Sequence, residues 1–188
     1  MMDDVEMKSS DLDTKTRLIT FENGLLNKAD GSANVNGPIE TRVQNEKFDQ
    51  AVVEVQLRSA SGVSGTSDRW LEHSLESVFT TEILVYMHPR TRIKLNFVIL
   101  NDDGGVESAA INAGCMALIN AGVPLSNMIC AVTAAINKDN SIVIDPTQEI
   151  IDGSDSCHTF AFGISESDSP VYVNSVGTFS KEQVRKKK

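Results

Sequence analysis

The stretch NDDGGVESAAINAGCMALINAGVPL, residues Asn101–Leu125, decides the fold of this chain. A strand-like segment runs into two glycines, and a nearly continuous apolar segment follows until Gly122 and Pro124 end it. A helix that is apolar almost all round has no face to turn to solvent, so this pattern predicts a helix over 106–121 that is buried between layers. The glycine pair in front of it has the arrangement in which a helix N-terminus binds an anion.

Negative charge surrounds that glycine pair. Asp102 and Asp103 precede Gly104 and Gly105, and Glu107 falls in the first helical turn. Carboxylates in these places satisfy the helix dipole internally. They also repel a phosphate by about 1 kcal/mol per unit charge in water, and by more where they are partly buried. The stretch lacks the lysine of a P-loop and the third glycine of a dinucleotide fingerprint. A capped structural helix is therefore favoured over a phosphate site.

The patterns of the remaining chain predict strands around one further helix. An amphipathic helix is predicted from Trp70, with Trp70 on its apolar face and Ser67 or Asp68 capping its start. Asn23-Gly24 predicts a hairpin turn, whereas 28–48 has little continuous apolar pattern. Strands are predicted over 51–58, 91–100, 127–136, 141–145, 157–164 and 171–176. This order indicates an α+β fold, a mixed β-sheet with helices packed on one face and one central buried helix.

Composition and charge restrict the function classes. The chain has 188 residues, of which 40% are hydrophobic, and a formal charge of −9. That length suits one domain with a substantial core, and the negative charge argues against broad, charge-driven binding of nucleic acid. No apolar run is long enough to span a bilayer, so we expect an intracellular protein with no membrane contact. Because Cys115, Cys130 and Cys157 are well separated, we expect buried reduced thiols, no metal and no cofactor.

Charged clusters outside this stretch are weaker candidates for a site. One candidate is a carboxylate-rich segment with Asp145, Glu149, Asp152 and Asp155. Such a segment is usually a solvated loop, and the alternative is that it holds a divalent ion or supplies acid–base chemistry. The histidines are isolated from one another in sequence. The candidate basic strip of the globular part consists of Arg69, Arg90, Arg92 and Lys94. A solvated face is the default interpretation of this strip, and weak RNA contact is the alternative.

The opening stretch resembles the signature region of the RNase PH superfamily, where a strand runs into DGG and an Ala-rich helix ends in AG[IV]P. The similarity continues through VNGPIETR, AVVEVQLRSASGVSGTSDRWLEHSLESVF, HPRTRIKLNFVIL, IVIDPTQE and CHTFAF, and it covers most of 24–179. Within the superfamily, the chain is most similar to eukaryotic RNA exosome ring subunits of the component-five type. The GPIE, IVIDPT and SxGTFSxEQ segments carry that finer resemblance.

The resemblance implies an RNase PH fold in a hexameric ring through which single-stranded RNA is threaded. Active members hold phosphate with a small residue and an arginine after DGG, whereas this chain has Val106 and Glu107. Their acidic position falls on Ser156, or on Asp155 if the alignment shifts by one. The degenerate phosphate-site positions are then Gly104, Gly105, Val106 and Glu107. A non-catalytic ring subunit is therefore implied, and the alternative is an active phosphorolytic 3′–5′ exoribonuclease.

The resemblance also implies partners, location and domain bounds. The expected partners are other RNase PH-like ring subunits, exosome cap subunits, an associated ribonuclease, and single-stranded RNA as a weak, shared contact. The expected location is the nucleus, nucleolus and cytoplasm. We predict a mobile acidic tail over 1–15, a single domain over 16–182 and a basic tail over 183–188. Compared with the family, the domain lacks one early strand, before GPIE, and most of the C-terminal helix.

Overall fold

The first sheet of the fold is built around a strand–helix–strand unit. The structure, a computed structural model, describes residues 32–40, 47–59, 65–139, 141–164 and 169–179. Its first sheet has the order β1-β3-β2, with β1 at Ser32–Glu40, β2 at Val52–Arg58 and β3 at Thr91–Val98. Helix α1 (Thr66–Glu82) joins β2 to β3, which are parallel, whereas β1 is antiparallel to β3. A short 3₁₀ turn, Val85–Met87, leads from α1 towards β3.

The second sheet is antiparallel and lies on the other side of the central helix. Its order is β5-β4-β6-β7, with β4 at Ile129–Ile136, β5 at Ile142–Ile144, β6 at Ser156–Gly163 and β7 at Tyr172–Gly177. A short helix, α3 (Gln148–Gly153), connects β5 to β6. The central helix is α2 (Val106–Asn120). Its Asn112 side chain donates to the Ala131 carbonyl at 2.9 Å and accepts from the Ala131 N–H at 2.8 Å, which fixes α2 against β4.

Gly114 marks the closest packing of the core. The rings of Phe79 on α1 and Phe97 on β3 are stacked with centroids 6.1 Å apart, and both rings are buried. A Cβ added to Gly114 would overlap the Phe79 ring and would lie 2.9 Å from Phe97 Cζ. The absence of a side chain at Gly114 therefore lets α2 approach α1 and the first sheet closely.

Most of the predicted elements are present in the structure. The α+β class, the buried central helix and the six predicted strands are confirmed, although the strands are divided between two sheets. The structure adds β1 within 28–48, where the sequence has little continuous apolar pattern and no strand was assigned. Only Val35 among the described side chains of β1 packs against the core, and the side chains from Asn36 to Ile39 are exposed. An edge strand of this kind needs little apolar patterning.

Four local predictions also need correction. Helix α1 begins at Thr66, with Gly65 as its N-cap, and Asp68 Oδ2 accepts the Gly65 N–H at 3.0 Å. This is one half of a capping box, so Asp68 stabilises the start of α1 from its third position. Trp70 is half exposed and Cys130 is exposed, although both were expected to be buried. The carboxylate-rich segment that was expected to be a loop contains α3.

Other predictions lie outside the described residues. These are the Asn23-Gly24 hairpin and the tails at 1–15 and 183–188.

Candidate functional site

The candidate site is the glycine turn at the start of α2. Gly104 and Gly105 have φ values of +84° and +72°, a region that residues with a Cβ rarely adopt. A Cβ on Gly104 would lie 2.8 Å from Ile151 Cδ1 and 3.0 Å from the Pro146 carbonyl oxygen. The turn thus needs glycine for its backbone conformation and also for the close approach of the segment that contains α3.

Buried hydroxyl groups fix the start of α2 to the second sheet. Ser108 Oγ donates to the Gly105 carbonyl at 2.9 Å, and Thr133 Oγ1 on β4 donates to Ser108 Oγ at 2.9 Å. Thr159 Oγ1 on β6 lies 3.2 Å from Thr133 Oγ1. Each hydroxyl has a partner in a place that excludes water, and such satisfied networks hold their members in one arrangement. The glycine turn is therefore a fixed feature of the fold.

Glu107 makes two hydrogen bonds to the last described strand. The Tyr172 hydroxyl donates to Glu107 Oε1, and Asn174 Nδ2 donates to Glu107 Oε2 at 3.0 Å. Tyr172 and Asn174 are two positions apart on β7, so both side chains are on the face towards α2. Where the family resemblance expects an arginine, this chain has a carboxylate whose two oxygens are both engaged within the fold.

The contact with Glu107 affects the acidity of the Tyr172 hydroxyl. Burial, together with the hydrogen bond to Glu107, raises the pKa of Tyr172 to about 12, and a hydrogen bond with Ser74 acts in the opposite direction. An unperturbed tyrosine has a pKa of about 10. The folded state therefore favours the protonated hydroxyl. Its contribution to stability is complete below about pH 10 and is lost as the pH rises through about 12.

The titration of Tyr172 can be observed by itself. The chain has two tyrosines, Tyr86 and Tyr172, so a Tyr86→Phe variant leaves one. We expect the tyrosinate absorbance of this variant to appear with a midpoint near pH 12, and at lower pH once Glu107→Gln is added. Circular dichroism at each pH confirms that the chain is folded. A midpoint near pH 10 in the folded Tyr86→Phe protein would contradict the contact with Glu107.

Two further carboxylates lie beside the glycine turn. Asp102 Oδ1 accepts the Gly104 N–H at 3.1 Å. Asp145 Oδ1 lies 3.7 Å from the point that a Cβ on Gly105 would occupy, and the Asp145 N–H donates to the Thr133 carbonyl at 2.8 Å. The sequence suggested a solvated loop at Asp145, whereas the structure brings this residue to the start of α2. A phosphate at the turn would meet Asp102, Glu107 and Asp145.

The structure separates the predicted acidic positions from the glycine turn. Residues directly opposite each other on antiparallel strands share a face, and successive residues alternate between faces. Thr159 faces α2, so His158 and Ser156 are on the outer face of the second sheet. Ser156 Oγ lies 3.0 Å from His158 Nε2. Asp155 is exposed just before β6, and its N–H donates to the Ile136 carbonyl at 2.9 Å. Ser156 and Glu107 are thus on opposite faces of one sheet.

The four candidate basic residues do not form one continuous strip of charge. Arg92 Nη1 lies 2.9 Å from Glu54 Oε2, and Lys94 Nζ lies 3.7 Å from Glu54 Oε1. The Arg90 guanidinium lies over the Phe48 ring, 5.3 Å from its centroid. Arg69 is exposed on α1. The two cations on β3 share a carboxylate of this chain, which reduces their attraction for RNA phosphates.

Among the described residues, no group of three or more His, Cys, Asp or Glu side chains is arranged to hold a metal ion. The three cysteines are free thiols, and burial raises the pKa of Cys115. Among the described helices, none is long and apolar enough to cross a membrane.

Comparisons with known proteins identify the family. The RNase PH family model, which is described as "3′ exoribonuclease family, domain 1", matches residues 15–124. The exosome complex component RRP46 of Saccharomyces cerevisiae is 33% identical in an alignment 190 residues long, gaps included. The alignment covers 88% of this chain and 85% of that protein. The corresponding Schizosaccharomyces pombe protein is 27% identical over 176 residues, which cover 85% and 76%. The crystal structure of rice Rrp46, at 24% identity, superimposes with a TM-score of 0.78 over 85% of this chain and 76% of that chain. The signature stretch, the fold and these relatives agree, and the chain belongs to the RNase PH family.

Proposed function

We propose that this chain is a non-catalytic structural subunit of an RNA exosome core ring. In that role it supports 3′–5′ RNA processing and degradation, including rRNA maturation, in the nucleus, nucleolus and cytoplasm. Its partners are other RNase PH-like ring subunits, cap subunits, an associated ribonuclease and, weakly, single-stranded RNA. The yeast relatives that are named exosome complex components support the assembly. The engaged carboxylate of Glu107 supports the absence of catalysis.

Charge and hydrogen bonding both oppose phosphorolysis at the glycine turn. Each carboxylate near a bound phosphate costs about 1 kcal/mol at 4 Å in water and several times more in a partly buried site. Glu107 cannot simply turn away, because Tyr172 and Asn174 would lose their acceptor. A buried polar group without a partner costs about 1–3 kcal/mol. Phosphate would therefore have to compete with contacts that already satisfy the fold.

The purified chain is expected to leave RNA intact. With a labelled single-stranded RNA and orthophosphate, we expect no phosphate-dependent shortening and no release of nucleoside diphosphates. Electrophoresis of the RNA and chromatography of the nucleotides measure the two outcomes. The opposite result, phosphate-dependent shortening that disappears in a folded Glu107→Gln variant, would favour the alternative of an active phosphorolytic exoribonuclease.

The outer face of the second sheet supports the assembly part of the proposal. Val132, Phe162 and Val173, on β4, β6 and β7, are 38%, 43% and 48% exposed. Their cross-strand partners place all three on the face away from α2. A contiguous exposed apolar patch across three strands is typical of a protein-binding surface. We propose that a neighbouring RNase PH-like subunit covers this face.

Affinity purification tests the assembly. RNase PH-like ring subunits are expected to co-purify with the tagged chain from cells that express it. Phe162→Asp is expected to reduce their recovery by about tenfold or more, since burying a phenylalanine contributes about 1.5–3 kcal/mol. Trp70→Asp is the matched control, because Trp70 is an exposed aromatic residue on α1. Failure to recover ring proteins would refute the assembly, and equal losses in both variants would refute the choice of face.

A further inference from the structure

Two exposed aromatic residues and an arginine lie at the same end of the first sheet. Phe48 is 69% exposed just before β2, and the Arg90 guanidinium lies 5.3 Å from the centre of its ring. Tyr86, which is 64% exposed, is on the 3₁₀ turn that precedes Arg90 in the chain. The Ala51 N–H donates to the Val85 carbonyl at 2.8 Å, which holds this turn next to the segment that carries Phe48. We call Phe48, Tyr86 and Arg90 the aromatic platform.

The aromatic platform is separate from the glycine turn. β2 and β3 are parallel, and Phe48 and Arg90 precede their first residues, so the platform lies at the N-terminal ends of this pair. The glycine turn follows the C-terminal end of β3. β3 has 8 residues, which at 3.3 Å each span roughly 26 Å. A ligand on the aromatic platform is therefore too far away to contact Glu107 at the glycine turn.

We propose that the aromatic platform binds single-stranded RNA by stacking a base on the Phe48–Arg90 pair or on Tyr86. This inference rests on the RNA-contacting role in the proposed function. Every base has a flat face that stacks on an aromatic ring whatever the sequence of the RNA. Arg90 contributes through its planar guanidinium, which stacks on aromatic faces and lies over the Phe48 ring.

The surroundings of the platform favour RNA over a protein partner. Energetic centres of protein interfaces lie within apolar contacts that exclude water. The outer face of the second sheet has such apolar surroundings, whereas Phe48 lies between the exposed, charged side chains of Lys47 and Asp49. Phosphate contacts alone are also a weak basis for RNA binding, because Arg92 and Lys94 share Glu54. Stacking on the platform adds affinity that does not depend on Arg92 and Lys94.

Photo-crosslinking of the full-length chain to a single-stranded RNA that contains 5-iodouridine tests the proposal. We expect the crosslinked peptides to contain Phe48 or Tyr86. Fluorescence anisotropy at low salt should show Phe48→Ala weakening RNA affinity by about tenfold, because stacking contributes about 1–3 kcal/mol per base. Arg90→Lys, which keeps the charge and removes the plane, is expected to weaken binding as well. The matched control Arg58→Ala removes a cation at the opposite end of β2 and is expected to have a smaller effect.

The possible outcomes separate this proposal from the proposed function. Crosslinks that map only elsewhere, or an affinity of folded Phe48→Ala equal to that of the unsubstituted chain, would overturn the platform. So would a Phe48→Ala variant that loses its co-purifying ring subunits and still binds RNA normally. Crosslinking at Phe48 or Tyr86 supports the platform even when no ring subunit co-purifies, and that result counts against the exosome assembly alone. Circular dichroism of each variant excludes unfolding as the cause.

Discussion

Gly114→Ala is expected to lower the free energy of unfolding by about 3 kcal/mol, at the upper end of the usual range for overpacking a core. The added Cβ would overlap the Phe79 ring and lie 2.9 Å from Phe97 Cζ. Neither ring has room to move away, because both are buried and stacked on each other. Urea unfolding followed by circular dichroism measures the loss.

Two further variants show whether the loss comes from this contact. Gly153→Ala is the matched control, because a Cβ on Gly153 would have no neighbouring atom within 4 Å. We expect its stability to change by less than about 1 kcal/mol, as for other surface positions. Adding Phe79→Leu to Gly114→Ala should restore part of the lost stability, since the smaller side chain makes room for the methyl group. Strictly additive losses in the double variant would contradict a direct contact.

Glu107→Ala is expected to destabilise the fold by about 2 kcal/mol, within the range for hydrogen bonds to a charged group. The change removes the acceptor of the Tyr172 hydroxyl and of the Asn174 amide together. Urea unfolding again gives the magnitude. Glu149→Ala is the control, since it removes an exposed carboxylate from the first turn of the neighbouring short helix α3. Similar losses in the two variants would show that Glu107 has no structural role beyond its charge.

Local pattern was sufficient to predict most of the elements. α2 buries Ile111, Cys115 and Leu118, whereas its apolar Met116 and Ile119 are exposed, and β3 alternates because only one of its faces is buried. β1 and α3 were missed for a common reason. Val35 alone packs β1 into the core among its described side chains, and α3 has 6 residues, none of them buried. Elements that bury so little surface leave no periodic signal in the sequence.

The residues of the site were harder to predict than the fold. The sequence alone shows that Glu107 follows the glycine turn and that its negative charge disfavours phosphate binding there. Its partners Tyr172 and Asn174 are 65 and 67 positions away. Their approach depends on how α2 packs against β7, for which the sequence contains no local signal. Their spacing of two on a predicted strand shows that they share a face, but not which face.

The contact between Glu107 and β7 also helps to set the register of that strand. β7 is the edge strand of the second sheet and pairs only with β6 among the described strands. Edge strands are the ones most prone to slip or to pair with another chain. A slip by one residue would turn Tyr172 and Asn174 away from α2 and place Val173 against the Glu107 carboxylate. The carboxylate therefore discriminates between correct and shifted pairing, so that one hydrogen-bonded side chain helps to specify the edge of the sheet.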